Sequence, residues 1–180
     1  MKQLLKKLMM TNEERIADMD NAEIDIQVLS HNHPGAQVFD TNGTLCQAEK
    51  INNRLSEIIE KHPNRFRGLA SLPMHFPHEA ARELERCVTE LGFLGAMLHG
   101  NLNGEFFDKT KFWPVFEIAA KLDKPIYIHP GNPHHAVKAA YYNDYEKKFP
   151  IIQTAGWGFG IETSTAAVRL ILSQIFEESL

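Results

Sequence analysis

Nine histidines stand out in this 180-residue chain, and a few of them fall where strands should end. Neutral imidazole is the commonest side-chain ligand for zinc-like ions. His129 closes the apolar run Ile126-Tyr-Ile-His129, directly before Pro130-Gly131. His99 closes Ala96-Met-Leu-His99, and His31 and His33 follow Gln27-Val-Leu-Ser30 as an HxH pair. Two residues apart on an extended chain, such a pair points to one side and could share an ion. His129 has two readings, a metal ligand or a core histidine bonded to backbone. His99 reads as a polar group lining a pocket. His134-His135 reads as loop surface or substrate rim, and His62, His75 and His78, beside prolines, as cap and loop residues.

Other chemistries find no support. No serine or cysteine occupies a GxSxG-like nucleophile context. No GxGxxG follows a strand, which argues against dinucleotide binding. The net charge of −4 gives no basic excess for nucleic acid or an anionic membrane. No apolar run approaches the roughly 20 residues that span a bilayer. The basic start MKQLLKKLMM has too short an apolar stretch for a secretory signal and reads as a short amphipathic helical end. Cys46 and Cys87 fall in predicted helices at no zinc or redox spacing. A reducing cytoplasm is the expectation.

The elements that must position the histidines read as βα units. A capping box at Thr11–Glu14 starts a helix to about Ala22. Strands are expected over 24–30, 66–72, 94–99 and 125–129, each a short apolar run. Helices are expected over about 43–61, 78–91, 111–122 and 163–176, with a polar, aromatic loop between His129 and the last of them. Alternation of this kind means a parallel sheet, and catalytic groups in a parallel barrel sit at the C-terminal ends of strands. The composition, 43% apolar and 23% charged, suits one domain over 1–180.

Several segments resemble one branch of the amidohydrolase superfamily, the amidohydrolase-related group that includes γ-resorcylate, dihydroxybenzoate, 5-carboxyvanillate and aminocarboxymuconate-semialdehyde decarboxylases. They are Arg15-Ile-Ala-Asp-Met-Asp20, Ile24-Asp-Ile-Gln-Val-Leu-Ser30 and Pro34-Gly-Ala-Gln37. Ala70-Ser-Leu-Pro73, Leu84-Glu-Arg-Cys-Val88 with Leu91-Gly92, and Phe112-Trp-Pro114 continue the match. Pro125-Ile-Tyr-Ile-His-Pro-Gly131 and Gly156-Trp-Gly-Phe-Gly160 with Glu162-Thr163 complete it.

The resemblance implies a partial (β/α)8 barrel in which the four strand runs are strands 2 to 5. It implies that His129 is a metal ligand at the end of strand 5. The family's own HxH or ExH motif belongs to strand 1, expected before residue 1, so His31 and His33 become pocket candidates beside His99. Strands 6 to 8, with a further histidine and a metal-binding carboxylate, are expected beyond Leu180. A zinc or manganese ion held by one remaining ligand would be weakly bound or absent. The implied activity is non-oxidative decarboxylation of an aromatic or unsaturated carboxylic acid. Two alternatives are a metal-dependent hydrolase of lactones or amides, and an inactive half-barrel that self-associates. The expected partners are a small carboxylic acid and a second copy of the chain, with no nucleic acid and no membrane.

Overall fold

The computed structural model describes residues 7–11, 13–39 and 41–178. Of the amphipathic end, residues 1–6 lie outside the described residues, and 7–9 are helical. The capping-box turn includes Asn12, also outside them.

Four parallel strands form one sheet in chain order: β1 (Gln27–Leu29), β2 (Phe66–Ser71), β3 (Gly95–His99) and β4 (Ile126–His129). Helices α1 (Glu13–Asn21), α2 (Thr41–Lys61), α3 (Pro77–Thr89) and α4 (Trp113–Lys121) alternate with them, and α5 (Gly158–Leu172) and α6 (Ile175–Glu178) follow. The alternation requires a parallel sheet, and four strands in sequential order fit the half (β/α)8 barrel that the family resemblance implies.

Pleating decides which side chains the helices cover. Along β2 and β3, Phe66, Gly68, Ala70, Ala96 and Leu98 are buried. Of these, Ala70, Ala96 and Leu98 join α3 residues Ala80, Leu84 and Cys87 and α4 residues Val115, Phe116 and Ala119 in a single core. The alternate positions lie on the helix-free face. The ladders Ser71↔Met97, Met97↔Tyr127 and His99↔His129 set Ser71, Met97, Tyr127, His99 and His129 there together. Tyr127 is 55% exposed and Val28, on the same face of β1, is 50% exposed. In a closed barrel these positions would be packed from across the lumen.

Asn52 ties α2 to the sheet. Its amide donates to the Ser71 carbonyl at 3.0 Å and to Glu83 at 2.7 Å, and its oxygen accepts from the Ser71 N–H at 2.9 Å. Glu83 in turn pairs with Arg86, which together with the Asn52 bond holds its carboxyl below the ordinary value despite burial. Helix α5 is anchored by a two-pronged ion pair from Arg169 to Asp108, at 2.9 and 2.8 Å, in the segment after β3.

Several expectations are corrected. The polar stretch after β4 is helical over much of 135–146, with a π-helical turn at Lys138–Tyr142. The last long helix begins at Gly158 rather than Thr163, because Gly158 packs against the preceding turn. A Cβ there would lie 2.0 Å from the Gln153 carbonyl oxygen. The same helix breaks before α6, where Gln174 takes a positive φ of 63°. Strand β1 is also shorter than expected, leaving Ile24 and Ile26 exposed before it.

Replacing Asn52 with alanine orphans the buried Ser71 N–H and carbonyl. Chemical denaturation is expected to show a loss of about 3 kcal/mol. A loss below about 0.5 kcal/mol would contradict this anchoring role.

Candidate metal centre at the strand ends

His99 and His129 face each other as the last pair of the β3–β4 ladder. Paired residues on neighbouring strands project to the same face, so register alone brings the imidazoles together, with ring centroids 5.0 Å apart. The chain beyond each histidine is equally close. A Cβ on Gly100, whose φ is +56°, would meet the Gly131 Cα at 2.5 Å.

His33 arrives from the loop after β1. Gln37 clamps that loop to β3: its amide donates to the carbonyls of His99 and Asn101 at 3.1 and 3.3 Å, and its oxygen accepts from the His99 N–H at 3.1 Å. The Ser71 hydroxyl accepts from the Ala36 N–H. Gly35, with φ +70°, lies flat against His99, where a Cβ would fall 2.4 Å from the ring Cδ2. The His33 ring thereby sits 5.7 Å from His99 and 6.0 Å from His129, nearly parallel to the latter. One ligating nitrogen from each of His33, His99 and His129 lies within 4.8 Å of the other two.

The nitrogens have distinct surroundings. His129 Nδ1 is 2.7 Å from the Pro130 carbonyl. In the neutral ring that nitrogen donates and Nε2 keeps a lone pair. The Cδ2–Nε2 edge of His99 faces Gly35, and the His31 backbone accepts a hydrogen bond from its ring. Among the described residues, Nδ1 of His31, of His33 and of His99 are buried without a hydrogen-bond partner. Phe159, at the start of α5, covers one side, 6.3 Å from His33 and 6.4 Å from His129 between ring centroids.

Burial pushes the His99 imidazole down to about 4, helped by the neighbouring His129, His33 and His31. Burial lowers His33, with His129 adding to the effect, and burial alone lowers His31. His99 and His33 are therefore neutral near pH 7, the form that binds metals.

The structure separates the HxH pair. His33 joins the group and His31 does not, because both follow the end of β1 at Leu29 and the two-residue spacing no longer sets a common direction. His129 does not stand alone, since two further histidines reach it. A polar cavity of about 360 Å³ opens beside His33 and His99, rimmed by Asn101, Asn132, His134 and His135. His134 Nδ1 accepts from the Ala136 N–H at 3.3 Å, leaving the proton of the neutral ring on Nε2. Sequence reasoning missed Gln37, Asn101 and Asn132. The two asparagines follow β3 and β4 within three residues, and loops at strand C-terminal ends are where functional groups gather.

A sequence model of the amidohydrolase family matches residues 10–179. The γ-resorcylate decarboxylase of Polaromonas sp. strain JS666 is 37% identical over 183 residues, covering 98% of this chain and 55% of that protein. The crystal structure of a dihydroxybenzoic acid decarboxylase from Polaromonas sp. JS666, with bound manganese and 2-nitroresorcinol, superposes with a TM-score of 0.86. It is 37% identical, and the match covers 93% of this chain and 51% of that one. A 5-carboxyvanillate decarboxylase from Novosphingobium aromaticivorans, complexed with manganese and 4-hydroxy-3-methoxy-5-nitrobenzoic acid, also gives 0.86. It is 33% identical, with 94% of this chain and 47% of that one covered. The chain thus spans about half the length of the relatives it matches. With its half-barrel, its strand-end histidines and a match along nearly its whole length, the chain belongs to the amidohydrolase family.

Proposed function

We propose that this chain supplies the half of a non-oxidative decarboxylase that contains His129, a ligand of a divalent manganese or zinc ion, and that the substrate is an aromatic or unsaturated carboxylic acid. The observation that carries this reading is His129 itself. With Nδ1 turned to the Pro130 carbonyl, its Nε2 lone pair is available at a strand end next to His99, which lines the polar cavity, in a chain 37% identical to a γ-resorcylate decarboxylase.

When bound, the ion supplies Lewis acidity toward a substrate carboxylate and its neighbouring oxygen. The chain's residues do the rest of the positioning. The Pro130 carbonyl fixes the His129 tautomer, as outer partners of metal-bound histidines do. Asn101, Asn132 and the Nε2–H of His134 rim the cavity with donors suited to a carboxylate or phenolic oxygen. Phe159 excludes water from one side of the imidazoles.

The open sheet supports a second reading, self-association. Apolar grooves run along both edges. Val28, Leu29 and Ile58 line one, and Ile126, Ile128 and Ile171 line the other. Edges of this kind recruit further strands. Among the described residues no helix is long and apolar enough to cross a membrane. The free Cys46 and Cys87 fit a reducing compartment, the cytoplasm.

Manganese-loaded protein is expected to release carbon dioxide from 2,6-dihydroxybenzoate or 5-carboxyvanillate. The release should stop with a chelator and fall about 100-fold or more in His129→Ala. No release from either acid would contradict the decarboxylase reading, and ring opening of a lactone instead would point to the hydrolase. Light scattering is expected to give a dimer or larger species, whereas a monomer at micromolar concentration would remove the self-association reading.

A further inference from the structure

We propose that His33, His99 and His129 form one metal site contained entirely in this chain, three imidazoles holding a zinc-like divalent cation with its remaining position open to the cavity. The inference shares His129 with the function proposed above and rests on that part of it alone. His33 and His99 are the new assignments.

Three observations converge. The donors come from three separate segments, the β1 loop, the end of β3 and the end of β4, yet one nitrogen of each lies within 4.8 Å of the others. Among the described residues no carboxylate or thiol joins the group, so neither an ion pair nor a hydrogen-bonded acid among them explains the convergence. Among the described residues, Nδ1 of His33 and Nδ1 of His99 are buried without a hydrogen-bond partner, as is Nδ1 of the adjoining His31, and His99 is only 4% exposed. A buried nitrogen without a partner is destabilising, and a cation satisfies those of His33 and His99 at once.

The surrounding backbone is shaped to the same end. Three hydrogen bonds of the Gln37 side chain, two donated and one accepted, fix the His33 loop against β3. Gly35 leaves no side chain where the His99 ring must lie, and Gly100 and Gly131 let the β3 and β4 ends meet. Three nitrogens bound to one zinc at about 2.0 Å stand roughly 3.4 Å apart in a tetrahedral site. The present separations, up to 4.8 Å, are wider than that, so binding draws the three imidazoles together. Three protein nitrogens and one open position make a catalytic type of site. Neutral ligands leave the full dipositive charge on it, which favours an anionic occupant such as a carboxylate.

The test uses the chelator-dialysed protein with zinc or cobalt alone. One equivalent of metal by elemental analysis is expected, and the cobalt form should show the intense visible bands of a four-coordinate ion. His33→Ala and His99→Ala should each weaken zinc affinity by about 10-fold or more in competition with a chromophoric chelator, while His78→Ala leaves it unchanged. Wild-type affinity in His33→Ala and His99→Ala would overturn the proposal. If His129→Ala alone lost metal, the inference would fail while His129 kept its proposed role. Should either alanine variant not fold, the unaltered protein decides: intense cobalt bands support the three-histidine site, and weak six-coordinate bands overturn it. Carbon dioxide release plays no part in these readouts, so failure of the decarboxylase reading is separately visible.

Discussion

The parallel pairing of β3 with β4, in the register that sets His99 opposite His129, is the constraint on which the site depends. Side chains alternate along a strand, so a slip of one residue would turn one imidazole into the helix-covered core. The register is held from both ends. The Ala96 N–H reaches the Pro125 carbonyl at one end, and the Gly100 N–H donates to the His129 carbonyl at the other. Behind the sheet, Leu98 and Ala96 pack into the core with the α4 residues Val115 and Phe116. The core therefore fixes which face the histidines occupy before any ligand is present.

Onto that pair the rest of the molecule adds one movable piece and makes it rigid. The β1 loop has no strand to align it beyond Leu29. Its position comes from Gln37 and from the Ser71 hydroxyl, and Ser71 is itself held by Asn52 of α2. The chain of contacts runs from α2 through β2 to the loop and then to His99. On the far side, the Arg169–Asp108 pair seats α5 so that Phe159 closes over the rings.

Much of this was legible in the sequence, and what was not has physical reasons. Short apolar runs ending in His99 and His129 announced the strands and their functional ends, because buried parallel strands need such runs. The role of His33 was not legible. It depends on contacts between residues far apart in the chain, such as Gln37 with His99 and Asn101 and Ala36 with Ser71. The start of α5 was misread because Gly156-Trp-Gly-Phe-Gly160 has the composition of a loop. Gly158 is there for close packing against Gln153 instead. The helix-free face carries polar Ser71 and His99 among apolar Met97 and Tyr127, a mixture that belongs to a barrel lumen rather than to a solvent surface.

The most direct measurement is anomalous X-ray diffraction at the zinc edge from crystals grown with zinc. The account predicts one strong peak at bonding distance from His129 Nε2 and from the Nδ1 atoms of His33 and His99. A fully occupied peak bound to His129 without the other two, or no peak between the three rings, would contradict it.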